Sequence, residues 1–505
     1  MFAHARYASS LLSRRRLLRG TAHALALPGL GLLAACGGGA TVSTTGSSSA
    51  SVSVAIAPVS SSVSSAASSA HPATSSATSS PATAATSATA SAVAPGARAV
   101  TLEITSWLTN QPMKDAYTHL IDTYAKVSPN VKIVQQPLTG DYMTALTARI
   151  AGGSVPSLAE TDWKMSQPLG EQKAIVPLDP LLKQDKISVT DYVQVAQELG
   201  RWPQKTGSYY AWYTMFATSP LFYNTAMFQS AGVQPPDESW TWDHLLEAAQ
   251  KLTKAGSGAA DSSFGFNLEY FTRTLLYSYG WDFAISDLSQ ILVDSTDSVN
   301  GLQYWQDLIY KYKVSPPGSL NNGGAFAQGA PFGAFSTKRL GMSIGGSYRI
   351  QLYRSVQGLD FDIAVPPQGP KGRVAVIKGA PAHSLPAQSP HPKEAWAFLS
   401  WWTRNQTADL VVLPGNLPSK LTALAGWTAE QQKDYKAPAH VALVYDIASK
   451  YGKPVQVLPN NDVVKKPYYT ERANILANKE DAKTGMTIAT QQMRSLLQQA
   501  QAGTA

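Results

Sequence analysis

The run Gly341-Met342-Ser343-Ile344-Gly345 has the spacing of a hydrolase nucleophile elbow, and Asp360 and His383 follow it in an order that a Ser-Asp-His triad permits. An elbow needs its serine on a tight strand-to-helix turn, whereas Leu340, Met342 and Ile344 alternate through this serine as they would in a strand. Glu160 and Asp162 form a second candidate pair, because a glycosidase flanks the bond it breaks with two carboxylates. Two acids close together in one loop are commonplace, so the pair alone decides nothing. An esterase and a glycoside hydrolase therefore stand as alternative readings. The histidines beyond the N-terminal region, at positions 71, 119, 244, 383, 391 and 440, include no pair four residues apart. Cys36 is the single cysteine, which excludes an intramolecular disulfide and a four-thiolate metal centre. No Gly-x-x-x-x-Gly-Lys-Ser/Thr run supplies a phosphate cradle, and neither a metal nor a cofactor is expected.

These residues depend for their placement on alternating strands and helices. Val100 to Leu108 reads as a strand, and Ala116, Leu120, Ile121, Tyr124 and Val127 mark one face of the following helix, which Pro129-Asn130 ends. Val131 to Pro137 is the next strand, and a helix from Asp141 to Ala151 stops at Gly152-Gly153. Two strand-helix units in succession predict an α/β fold with a parallel sheet. Thr241 is a predicted N-cap for a helix that turns Leu245, Leu246, Ala249 and Leu252 toward a core. Further helices are predicted from about Ser298 to Tyr312 and from near Pro392 onward.

Before Cys36 the chain has a different logic. A basic stretch around Arg14-Arg15-Arg16-Leu17-Leu18-Arg19 precedes an apolar run from Ala24 to Ala35, the layout of a secretion signal over 1–35. The apolar run is interrupted by Pro28, Gly29 and Gly31 and is shorter than the ~20 residues needed to span a bilayer. Leu33-Ala34-Ala35-Cys36 resembles a bacterial lipobox, which implies a diacylglycerol on Cys36, and the arginine stretch resembles a twin-arginine export motif with Leu17 in place of Phe. Residues 36–99 are dominated by Ala, Ser and Thr and read as a disordered tether with an end-to-end span of about 40 to 45 Å. Membrane attachment is expected through the lipid alone. The formal charge of +8 is mostly local to this region. Taking the five arginines of residues 1–35 from the 41 basic residues leaves 36 against 33 acidic ones, too near balance for a nucleic-acid partner.

A series of motifs in fixed order then carries a resemblance. Arg149-Ile150-Ala151-Gly152-Gly153-Ser154-Val155-Pro156 is followed by Ile175-Val176-Pro177-Leu178-Asp179, Leu221-Phe222-Tyr223-Asn224, Ser239-Trp240-Thr241-Trp242-Asp243-His244-Leu245, Leu340 to Tyr348 and Asp362-Ile363-Ala364-Val365-Pro366-Pro367. From about residue 100 to 505 the chain resembles the extracellular solute-binding proteins of sugar ABC importers, in particular those similar to maltodextrin-binding proteins. Ser157 stands in place of the usual Asp, His244 in place of a helix-start Glu, and Ser347-Tyr348 where many members have a small residue followed by Trp. The resemblance implies a two-lobed periplasmic-binding-protein-like α/β fold with a hinge and an interlobe cleft. One lobe is expected from 100–211 plus 380–435 and the other from 212–379 plus 436–505, with crossings near Tyr209 to Phe216 and Val374 to Ser384. It also implies a monomeric binder, not an enzyme, at the extracytoplasmic face of a bacterial membrane, with a sugar or oligosaccharide ligand and permease subunits as partners.

A sugar offers hydroxyls and an apolar ring face, so its site needs polar side chains beside aromatic plates. Most of the 12 Trp and 22 Tyr must be structural. Ligands of open parallel sheets lie beyond the carboxyl ends of the strands, which points to Trp107, Thr109 and Asn110 after the first strand. The resemblance implies Asp162 and Trp163, which follow the third strand where family members commonly present polar and aromatic groups. The resemblance adds Tyr270, at the place of a sugar-stacking tyrosine, then Trp281, Ser347 and Tyr348, and, at the two crossings, Trp212, Lys378 and Gly379. Gly379 is expected to let a ligand approach its backbone.

Overall fold

The computed structural model describes residues 99–503 apart from 108–110, 259–260, 270, 319–323, 329, 331–332, 380–381, 412–414 and 434–436. Cys36 and the segments read as a signal and a tether lie outside the described residues, as do Thr109, Asn110 and Tyr270.

Strands β1 (Val100–Ser106), β2 (Val131–Pro137) and β3 (Leu158–Thr161) begin the chain, with short β4 (Arg201–Trp202) and β5 (Ser208–Tyr209) paired as a hairpin. Strands β6 (Met215–Ala217), β7 (Leu221–Asn224), β8 (Phe264–Leu268), β9 (Leu340–Ile344) and β10 (Phe361–Ala364) follow. The last four are β11 (Ala375–Gly379), β12 (Ala382–Ser384), β13 (Leu417–Pro418) and β14 (Gly452–Pro454).

Among the described residues these strands form three four-stranded sheets. The first has the order β12-β3-β1-β2, with β1 parallel to both β2 and β3. The second has the order β10-β7-β9-β8, with β8 parallel to β9. The third, β13-β6-β11-β14, draws its strands from across the chain, and in it Lys378 and Gly379 pair with Ala217 and Phe216. Beside it Trp212 and His383 form an isolated bridge. The two segments expected to cross between lobes thus run side by side.

Helix Gln111–Val127 lies between β1 and β2, turning Tyr117, Leu120 and Tyr124 into the core of the first sheet, where Trp401 and Trp402 of helix Pro392–Arg404 complete the packing. Around the second sheet a larger core gathers Trp242, Phe266, Trp305 and, from the C-terminal helices Asn461–Leu476 and Ala482–Ala502, Tyr468 and Met493. Helix Trp242–Leu252 begins as predicted at Thr241. The histidine that replaces the expected acid closes a capping box, its Nδ1 accepting the Thr241 N–H at 3.2 Å. Helix Thr296–Tyr310 starts two residues earlier than its apolar stripe indicates, because Ser295 caps it. Among the described residues no helix is long and apolar enough to cross a membrane.

Candidate functional site

Each main sheet ends a strand on an enclosed glutamate that clamps the loop beyond it. In the first sheet Glu160, in β3, is fully buried and accepts the Tyr117 hydroxyl at 2.6 Å and the Trp107 backbone N–H. Burial pushes its carboxyl up to about 7, although both hydrogen bonds oppose the shift. In the second sheet Glu269 follows β8 and is equally enclosed. It pairs with Arg349 at 2.9 Å, accepts the Tyr353 hydroxyl at 3.0 Å and accepts the Phe335 N–H at 3.0 Å. Here too burial holds the carboxyl above its usual range, with Arg349 as the main opposing influence. The first clamp fixes the exit toward Trp107, and the second fixes Glu269 itself just beyond β8.

Trp107 is half-buried, and its indole stacks on Tyr142 at 3.9 Å between ring centroids, 28° from parallel. Tyr142 is held in turn by donating to the Glu160 carbonyl at 2.8 Å. It opens the helix Tyr142–Ala151, which Asp141 caps by accepting the Thr144 N–H at 2.9 Å. The aromatic plate is therefore fixed by the same strand that carries the buried carboxylate.

Beyond β3 the chain turns through Asp162, Trp163 and Lys164. Asp162 accepts the Lys164 N–H at 2.8 Å, and burial raises its carboxyl above the ordinary range. Trp163 is only 3% exposed and is ringed by cations: Lys164 Nζ at 5.6 Å, Lys465 Nζ at 5.6 Å and Arg273 Cζ at 5.8 Å from its centroid. Arg273 donates to the Tyr469 hydroxyl at 2.8 Å, and Lys465, wholly enclosed, donates to the Gln456 carbonyl. Lys378 Nζ stands 5.8 Å from the Phe271 ring, its pKa held below the usual lysine range by burial first and then by Arg273 and Lys164.

Alongside lies a cavity of about 520 Å³, within the ~300–1,000 Å³ usual for small-molecule sites. Trp107, Tyr142, Asp162 and Gln167 line it on one side, and Asn460, Asn461 and Asp462, at the start of helix Asn461–Leu476, on the other. An aromatic plate facing carboxamides and carboxylates suits a ligand with one apolar face and many hydroxyls.

Other predicted positions fall differently. Trp212 is fully enclosed in the first core, edge-on to Tyr192 at 5.2 Å and Tyr209 at 5.8 Å. Trp281 is enclosed among Tyr277, Phe283 and Tyr468 in the second. Neither lines the cavity, so the structure assigns both rings to packing. The missing Cβ at Gly379 makes room for the Tyr213 ring, which a built Cβ would meet at 2.0 Å, and this close approach replaces the expected approach of a ligand. Ser347 is buried and pins its loop to the crossing, its N–H donating to the Thr218 carbonyl at 2.8 Å and its Oγ accepting the Thr218 N–H at 3.3 Å. Tyr348 beside it keeps partial exposure and tilts over Phe271 at 6.4 Å.

The hydrolase motif does not assemble. Ser343 is buried in the middle of β9, paired with Phe222 and Asn267 on either side, whereas His383 belongs to β12 in another sheet. Glu160 is too enclosed to flank a substrate bond. Among the described residues no cluster of three or more His, Cys, Asp or Glu is arranged to hold a metal ion. Sequence reasoning missed Tyr142, Lys164, Arg273, Lys465 and the Asn460 to Asp462 turn. The signal for Lys465 was its place one turn from Asn461 and Tyr468, on the buried face of its helix.

A family model described as bacterial extracellular solute-binding protein matches residues 110–409. The arabinooligosaccharide-binding protein of Bacillus subtilis (strain 168) is 25% identical over 241 residues, 44% of this chain and 53% of that protein. The sn-glycerol-3-phosphate-binding periplasmic protein UgpB of Yersinia pestis is 28% identical over 172 residues, 33% of this chain and 39% of that protein. The chain therefore spans about half or less of the length of these curated relatives. An ABC substrate-binding protein from Listeria monocytogenes, solved in complex with cycloalternan, superposes with a TM-score of 0.67 at 18% identity, over 79% of this chain and 98% of that one. That likeness is one of fold, the two-lobed α/β architecture of periplasmic binding proteins.

Proposed function

The chain belongs to the bacterial extracellular solute-binding protein family, and from that premise we propose that it captures a carbohydrate outside the cytoplasm and delivers it to the permease of an ABC importer without altering it chemically. The observation that carries the reading is the cavity in which the stacked Trp107 and Tyr142 rings face Asn460, Asn461 and Asp462. Stacked rings bind the apolar face of a pyranose, and carboxamides and carboxylates bind its hydroxyls. The printed names of the oligosaccharide- and cycloalternan-binding relatives support the same ligand class.

In this reading Cys36 carries a lipid, residues 36–99 form the tether, and the protein acts as a monomer. The lobes are 100–211 plus 380–435 and 212–379 plus 436–505, hinged where β6 and β11 pair. Resemblance keeps residue 270, beyond the Glu269 clamp, on the ligand wall of the second lobe. Calorimetric titration with a panel of oligosaccharides, alongside an ester substrate, tests the proposal. Binding of a saccharide without turnover is expected. Ester turnover abolished by Ser343→Ala, with no saccharide bound, would overturn it.

A further inference from the structure

Lys465 occupies a position where an apolar side chain would serve the fold better. Val464 and Tyr468 pack on the same side of its helix, and the ammonium is wholly enclosed, with one hydrogen bond, to the Gln456 carbonyl. Taking a charge out of water without a counter-ion is costly, and the faces of Phe283 at 4.1 Å and Trp163 at 5.6 Å offset only part of that cost. Lys164 and Arg273 stand at the same Trp163 ring, and Lys378 lies near enough to feel both. Among the described residues none of these four cations has a carboxylate within ion-pair distance.

The nearby acids are engaged elsewhere. Asp282 pairs with Lys453 at 2.9 Å, Asp462 accepts the Asn461 side chain at 2.9 Å, and Asp141 caps its helix. Asp162 faces Lys164 and Lys378 and is tied to its own loop through the Lys164 N–H, while Asp282 and Asp462 act on Lys465 only from beyond ion-pair distance. A wholly enclosed ammonium without a carboxylate in ion-pair distance, grouped with the part-buried Arg273 and Lys378 and with the exposed Lys164 that lines the cavity, leaves positive charge for a ligand to answer.

We infer that the carbohydrate of the proposed function carries an anionic group, a carboxylate or a phosphate, which seats beside Trp163 among Lys164, Arg273, Lys378 and Lys465. The inference rests on the capture reading above and refines its ligand class. It divides the labour of the site: the cations take the acid group, while Gln167 and Asn460 along the cavity remain for hydroxyls. Trp163 then serves as a backing plate for the cations, and Trp107 as the sugar plate.

The test is calorimetric titration of the purified full-length protein with glucuronate, glucose 6-phosphate and digalacturonate, each against glucose or maltose as a neutral counterpart. Tight binding of an anionic probe is expected, weakening as salt is raised, and preference between the carboxylate and phosphate probes identifies the group. Lys465→Met should weaken that binding by about 30-fold or more, as losing one partner of a buried charge pair does. The same substitution should raise the melting temperature of the unliganded protein. Lys378→Met provides an independent arm should the first variant fail to fold. Neutral probes bound as tightly as anionic ones, or unchanged anion affinity in a folded variant, would overturn the inference and leave sugar capture standing. Absence of binding for every probe, neutral or anionic, would overturn the capture reading and this inference with it.

Discussion

Glu160 and His383 are buried titratable groups whose contributions run in opposite directions with pH. The Glu160 carboxyl is raised by burial to about 7 against about 4.5 when unfolded, so the folded chain holds its proton more tightly across that interval. Its stabilising effect is full below the lower value and is lost as pH rises through the upper one, a change on the order of 3 kcal/mol. Glu160→Gln should flatten the fall in stability between about pH 4.5 and 7, measured by urea unfolding across that range. A slope equal to wild type would show that Glu160 is not the group responsible. His383 is lowered by burial to about 3, its two ring nitrogens have no hydrogen-bond partner, and its ring meets Trp402 edge-on at 4.8 Å. A depressed pKa contributes stability above the unfolded value near 6.5, and that stability is lost as pH falls toward the folded one. His383→Phe should keep the ring contact, match wild type at neutral pH and lose less stability in acid. Greater acid sensitivity in the variant would refute this assignment.

Among the elements, β11 has a strict steric requirement at Gly379. Gly379→Ala forces a Cβ into the Tyr213 ring beside the crossing, and overpacking of this kind costs about 1–3 kcal/mol. Thermal unfolding should show that loss, and unchanged stability would mean that the crossing yields without strain. Strands β1, β2 and β9 and the helices after β1 and β2 were legible in sequence because one face of each meets a core, and such burial imprints a period on the side chains. The start of helix Thr296–Tyr310 was less legible, since its first turn is set by the Ser295 cap rather than by apolar spacing. Aromatic identity was a poorer guide than position. Trp107, Trp212 and Trp281 are equally suited by composition to stacking on a sugar, yet only Trp107 lines the cavity. The Lys465 ammonium and the Asn460 to Asp462 turn reach the site from about 300 residues farther along the chain than Trp163, and no local pattern records such a meeting.

For the molecule as a whole, the proposed capture asks the cavity to gather side chains from both ends of the folded chain and to release its ligand again. Hinge closure would achieve this if the ligand bound the closed arrangement better than the open one, since equal affinity for both shifts nothing. A saccharide at 100 times its dissociation constant should then add about 2.7 kcal/mol to the folded state, seen as a rise in Tm. The most direct test of carbohydrate capture is calorimetric titration of wild type and Trp107→Ala with the same neutral and acidic saccharide panel. The account predicts that one saccharide binds wild type, and that removing the indole weakens it by more than about 1 kcal/mol through loss of the aromatic plate. Saccharide binding at wild-type affinity in Trp107→Ala, or no saccharide binding to the wild-type protein, would contradict it.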